Sequence, residues 1–348
     1  MFTNNYEPMD ETSWQGRIDS LTNYDAFRWH QWVKPLDLRK PLNKSNEFSF
    51  AFIGFCCDEG IKQNKGRAGA MNGPAAIRHE LSKLPCTFNE HVNLYDAGDI
   101  IVDNIPLIDG QRLLKEAVNK ILSAGIFPIV LGGGHETAFG TYNGVLQYSE
   151  TVHKKPKIGI INFDAHFDLR PYKDEGTSGT MFRQISDICK NKDMDFSYFC
   201  IGVQEHSNTI ELFKTARELG VNYILARDMI NSDGWQLLRD ITSFIKDQDY
   251  IYITVCSDVF SASYAPGVSA PQALGLDPEM VITLLKQILK SNKVRAFDIC
   301  EVSPRFDKDN VTSNLASIII FALVNTICKN SHMEHPSIAS YNSYCYRK

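Results

Sequence analysis

Six runs of apolar, mostly β-branched or aromatic residues constrain how this chain can fold. They lie at residues 48–53, 126–131, 158–163, 197–201, 250–255 and 294–299. None of them alternates cleanly between polar and apolar positions, as a strand with one wet face does. Continuous apolar runs of this length belong to parallel strands buried on both faces. Between them lie stretches with apolar residues at helical spacing. Leu113, Leu114, Ala117, Ile121 and Leu122 mark a helix over 111–122, and others are expected over 278–290 and 312–329. Strands alternating with helices predict an α/β fold with a parallel sheet covered on both sides. No repeat, low-complexity tract or linker interrupts the pattern. We read residues 1–348 as one domain, with 1–45 an N-terminal extension packing on it.

Four of the runs stop at polar residues. The 126–131 run leads into Gly132-Gly133-Gly134-His135-Glu136, and the 158–163 run into Asp164-Ala165-His166-Phe167-Asp168. The 250–255 run leads into Cys256-Ser257-Asp258, and the 294–299 run into Cys300-Glu301. Ligands of open α/β sheets bind beyond the carboxyl ends of the strands. The four clusters are therefore expected to meet in one crevice.

In Asp164-x-His166-x-Asp168 the spacing of two sends all three side chains to one side if the strand continues. Two carboxylates and an imidazole form a mixed oxygen and nitrogen set that suits Mn, Fe or Zn better than Ca. Helix capping is the structural alternative for the same residues. His135 follows three glycines, which allow a tight turn and close approach to a ligand. A phosphate loop is the rival reading, but the Walker lysine and the G-x-G-x-x-G pattern are both missing. Asp258 and Glu301 each end a buried strand, where a plain turn residue is the competing reading.

The net charge of −5 and the lack of a dense Lys/Arg cluster argue against nucleic-acid or anionic-membrane partners. The apolar stretch 315–324 is too short to span a bilayer and reads as a buried helix. Residues 1–14 are polar and acidic, unlike a signal peptide. Nine cysteines, an odd number with no C-x-x-C pair, suggest reduced thiols in a cytoplasmic protein rather than a disulfide framework or structural zinc site.

With these clusters in place, the sequence resembles the arginase-like ureohydrolases over nearly its whole length. The residues that carry the resemblance start at Trp14-Gln15-Gly16-Arg17. They continue through residues 54–60, Asn64-Lys65-Gly66-Arg67-Ala68-Gly69-Ala70, the GGGHE motif, residues 160–170, Thr177-Ser178-Gly179-Thr180, Ala265-Pro266-Gly267-Val268-Ser269-Ala270-Pro271 and Glu301. The Asn-Lys-Gly-Arg and Ala-Pro-Gly-Val-Ser-Ala-Pro stretches look like the branch that hydrolyses N-formimidoyl-L-glutamate to L-glutamate and formamide, a reaction of histidine breakdown. Phe182 stands where arginase itself carries a proton-shuttling histidine.

The resemblance implies a three-layer α/β/α fold around a mostly parallel, eight-stranded sheet, and usually a homo-oligomer. It also implies a binuclear Mn2+ site that activates a water. By motif, His135, Asp164 and Asp168 would hold one ion, and Asp164, His166 and Asp258 the other. Asp168 would also accept a hydrogen bond from the attacking oxygen, and Glu301 would hold the substrate's amidine nitrogen. Arg67, Arg170, Thr177, Ser178 and Thr180 are the expected contacts to the two substrate carboxylates. A related hydrolase acting on a guanidino compound, and a metal-depleted homologue without catalysis, remain alternatives.

One position departs from the family pattern. Where the family has a second bridging aspartate, this chain has Cys256. Three outcomes are open: Cys256 ligates and changes the metal preference, it weakens one or both ions, or it oxidises. A disulfide with Cys56 or Cys57 would be the oxidised form.

Overall fold

Ten strands form one sheet in the computed structural model, which describes residues 2, 4–45, 47–231 and 234–338. In chain order they are β1 (Tyr6–Glu7), β2 (Val33–Pro35), β3 (Phe48–Cys56), β4 (Val92–Ile101), β5 (Phe127–Leu131), β6 (Ile158–Phe163), β7 (Ser197–Val203), β8 (Asn222–Leu225), β9 (Tyr250–Cys256) and β10 (Val294–Cys300). The spatial order is β1-β4-β3-β5-β10-β9-β6-β7-β8, and β2 also pairs with β4. Every pairing is parallel except β1 with β4. The eight longer strands make up the expected sheet, and the N-terminal segment adds β1 and β2 at one edge.

Side chains of a strand alternate between faces, and here both faces are dry. Phe50, Phe52, Ile161, Phe163, Ile251, Ile253 and Val255 point to one side. Helices Gly73–Leu81, Gly234–Lys246, Pro278–Leu289 and Val311–Asn330 cover them with Ile77, Leu237, Leu285 and Ile320. Ala51, Ile53, Phe55, Ile158, Ile160, Tyr250 and Tyr252 point to the other side. There they meet helices Leu107–Ser123, Thr137–Ser149, Met181–Asn191 and Ile210–Glu218 through Leu114, Val145, Ile185 and Leu212. Three layers, α/β/α, follow from strands that are apolar on both sides. The helical stretch Lys308–Asn330 is long and apolar enough, by length and composition alone, to cross a membrane. In this fold it packs against helices Gly73–Leu81 and Pro278–Leu289.

The sequence pattern overlooks β4 because Asn93, Asp96, Gly98 and Asp99 interrupt its apolar run. Those polar groups have partners. The guanidinium of Arg78, fully buried, donates to Asp96 Oδ2 and Oδ1 at 2.7 and 3.0 Å, to Asp99 Oδ1 at 2.7 Å and to the Gly98 carbonyl at 2.9 Å. Trp14 Nε1 donates to the same Asp96 at 2.5 Å, which ties the N-terminal segment to this strand. The short edge strand β8 is also absent from the sequence reading.

Candidate metal centre

The site is positioned by register. Four neighbouring strands, β5, β10, β9 and β6, end at the same level. Leu131 pairs with Ile299, Ile299 with Val255, and Val255 with Phe163. The residues that follow each strand therefore open side by side onto one cleft of about 200 Å³. His135, His166, Asp168, Cys256, Asp258 and Glu301 all line it.

The loop after β5 must pass very close to its neighbour. A Cβ on Gly133 would lie 1.8 Å from the Cys57 carbonyl oxygen, so only glycine fits there. The loop then delivers His135 into the cleft. β6 stops at Phe163, so the Asp-x-His-x-Asp triplet is not the extended continuation that its spacing suggests. Asp168 instead comes round in a left-handed conformation with φ 50°, and Glu301 after β10 has φ 68°. Such conformations are strained for non-glycine residues and cluster at functional sites.

The side chains converge tightly. His135 Nδ1 lies 2.9 Å from Asp164 Oδ2 and 3.0 Å from Asp168 Oδ2. His166 Nδ1 lies 3.4 Å from Asp164 Oδ1 and 3.2 Å from Asp258 Oδ2. Two groups of possible metal ligands result: His135, Asp164 and Cys256, and Asp164, His166 and Asp258. Within each group, ligand atoms lie within 4.8 Å of one another. Asp164 belongs to both.

These residues fit divalent cations on grounds internal to the structure. His135 Nε2 lies 2.9 Å from the hydroxyl of Thr254. That hydroxyl also hydrogen-bonds Asp298, which accepts from Tyr252 at Oδ2. When Thr254 donates to Asp298 and accepts from His135, the imidazole proton sits on Nε2. With the imidazole neutral, Nδ1 then turns its lone pair toward two carboxylate oxygens, an arrangement that a proton or a metal cation between them relieves. Asp258 Oδ1 and Glu301 Oε2 are buried and have no hydrogen-bond partner, although most buried polar atoms have one.

The electrostatics agree. Burial and the charge of Asp164 push Asp168 up to about 6. Burial, reinforced by Glu136 and Asp258, pushes Glu301 up to about 8. Burial and then the charges of Asp164 and Asp258 hold the Cys256 thiol well above its ordinary value. At His135 and His166 burial opposes protonation, but the neighbouring carboxylates outweigh it and raise both. Asp164 is lowered, because hydrogen bonds from both imidazoles overcome its burial. Four carboxylates against two imidazoles leave the protein short of positive charge at this point.

The expected substrate-binding residues divide. Arg170 and Ser178 line the cleft, together with Asn64, whose side-chain amide donates to Ser178 Oγ at 3.3 Å. Arg67, Thr177 and Thr180 are directed elsewhere. Arg67 donates to the carbonyls of Val268 and Ser269 and lies 4.1 Å over the Phe306 ring, so it braces the Ala265–Pro271 stretch. Thr180 Oγ1 accepts from the Thr177 backbone at 2.7 Å, and Thr177 Oγ1 accepts from Gly179 N at 3.2 Å. Both close the turn that starts helix Met181–Asn191. Phe182 stacks on Tyr198 at 4.3 Å and meets His135 edge-on at 5.7 Å.

The disulfide expectation is corrected for Cys56. Cys56 ends β3 and Cys256 ends β9, with β5 and β10 between them. Three strand spacings separate their backbones by roughly 14 Å, whereas a disulfide needs Cα atoms within about 7 Å. Cys56 lies near Asp99 and Cys57 against Glu136, while Cys256 sits among Asp164, Asp258 and Glu301.

Thr254 and Asp298 were not evident from sequence. Both are fully buried beneath the ligands. Their signal is a polar residue at every second position, Tyr252-x-Thr254-x-Cys256 and Asp298-x-Cys300, within strands that are otherwise apolar.

Comparison with known proteins agrees with this geometry. The family model for the arginase family matches residues 48–325. A formimidoylglutamase of Clostridium tetani is 60% identical over 330 residues, covering 93% of this chain and 97% of that protein. The crystal structure of Trypanosoma cruzi formiminoglutamase with Mn2+2 aligns at a TM-score of 0.72 and 25% identity, over 84% of this chain and 98% of that one. Formimidoylglutamase from Bacillus subtilis shares the fold, at a TM-score of 0.75 and 22% identity over 89% of this chain and 94% of that one. A full-length relative, the family match and a cleft built at four in-register strand ends together establish that the chain belongs to the arginase family.

Proposed function

We propose that this chain hydrolyses N-formimidoyl-L-glutamate to L-glutamate and formamide, using two divalent cations, Mn2+ in the first instance. The observation that carries the reading is the pair of ligand groups sharing Asp164 at the floor of the cleft. The substrate class comes from the 60% identity to a formimidoylglutamase. His135, Asp164, Asp168 and Cys256 would hold one ion, and Asp164, His166 and Asp258 the other. Bound there, the cations supply Lewis-acid activation of water near neutral pH.

The chain's own groups do the rest. Asp168 lies beside His135 with a carboxylate oxygen free to accept the proton of the attacking water. The unpartnered Oε2 of Glu301 holds the amidinium nitrogen in a charge-assisted contact, while its Oε1 is fixed by the His135 backbone N–H at 3.0 Å. Arg170, Ser178 and Asn64 meet the glutamate carboxylates at the mouth of the cleft. Addition of water to the formimidoyl carbon gives a tetrahedral species. Its collapse breaks the bond to the glutamate nitrogen, which takes up a proton as it leaves. The eight described cysteines are unpaired, which suits a reducing, cytoplasmic setting. The test is a substrate panel of formimidoylglutamate, arginine and agmatine with added Mn2+. Formamide release from the first alone is the expected result. Urea from either guanidino compound, or no turnover of any, refutes the reading.

A further inference from the structure

We infer that the two halves of this metal centre prefer different cations: the His135–Asp164–Cys256 half selects a thiophilic ion such as Co2+, Zn2+ or Fe2+, and the Asp164–His166–Asp258 half an oxygen-preferring ion such as Mn2+. The inference rests on the metal-centre reading above and deepens it.

Both halves offer one imidazole, with three anionic groups in the first when Asp168 is included and two in the second, and extra negative charge does not by itself single out a softer ion. The sulfur does. Thiolate selects softer ions, and carboxylate suits Mn2+. Cys256 is placed to ligate. It is 2% exposed, lies among the carboxylates and makes no side-chain hydrogen bond among the described residues. It ends β9 in register with Cys300 of β10, so the sheet fixes its backbone. On ligation the thiol releases one proton to solvent and the resulting thiolate binds the cation, a step that leaves every oxidation state unchanged. Asp164, common to both halves, lets an ion of each kind sit side by side.

The experiment uses the full-length chain stripped of metal and titrated with Co2+, followed in the near ultraviolet. A sulfur-to-cobalt charge-transfer band should rise and saturate at one equivalent. It should be lost in Cys256→Ser and Cys256→Asp, with circular dichroism confirming that each variant is folded. After equilibration with Mn2+ in large excess over Co2+ and removal of free ions, the wild type should hold one of each by elemental analysis. Cys256→Asp should shift that ratio toward Mn2+. Two bound ions with no sulfur band would overturn the inference and leave the metal-centre reading standing. No bound ion of either kind would overturn both.

Discussion

Replacing Thr254 with valine removes one hydroxyl and preserves the shape of β9. Thr254 is fully buried, so water cannot take the place of that hydroxyl. The His135 Nε2–H would lose its acceptor at 2.9 Å, and Asp298 would lose a donor. A buried group stripped of its partner costs about 1–3 kcal/mol. The larger effect is on the imidazole, whose tautomer and ring angle the hydroxyl sets. Losing such a supporting contact typically weakens metal binding about 10–100-fold, or ~1.4–2.7 kcal/mol. Calorimetric titration of the metal-free protein with Mn2+ measures this. Thr254→Val should bind that much more weakly, and Thr254→Ser, which keeps the hydroxyl, should stay close to the wild type. Unchanged affinity in Thr254→Val would refute the orienting role. Equal weakening in both variants would assign the effect to disturbed packing at this buried position rather than to the hydroxyl.

Two further perturbations probe other parts of the chain. Arg78→Met strands Asp96, which is 1% exposed, as an uncompensated buried charge; urea denaturation should show a loss of about 3–5 kcal/mol, and a loss below 1 kcal/mol would mean that Asp96 finds another partner. Arg170→Ala should raise KM for the dicarboxylate substrate more than it lowers kcat, the pattern expected when binding common to ground and transition states is removed, with metal content unchanged by elemental analysis.

Much of the candidate site was legible because its proposed ligands interrupt strong patterns. Asp164 and Glu301 directly follow buried apolar strands, and His135 and Asp258 come within four residues of one. Thr254 and Asp298 were hidden because a lone polar residue inside a strand carries little signal until its neighbours across the sheet are known. Which of Arg67, Arg170, Thr177, Ser178 and Thr180 face the cleft was not legible, since side-chain direction in a loop depends on backbone turns that periodicity does not encode. The Cys56–Cys256 pairing failed for a different reason. Proximity in a parallel sheet depends on strand order, and β3 and β9 are three places apart. For β4, the polar residues that masked it are the partners of Arg78, a residue in a different element.

The level ending of β5, β10, β9 and β6 makes the backbone ladder the ruler for the metal chemistry. Side chains reverse face with every residue, so a slip of β10 by one position would turn Glu301 away and present Cys300 in its place. A carboxylate would give way to a thiol with no change in sequence. Length changes in the loops leading into these strands can be absorbed at the surface, whereas one residue gained or lost within a strand would rewrite the ligand set.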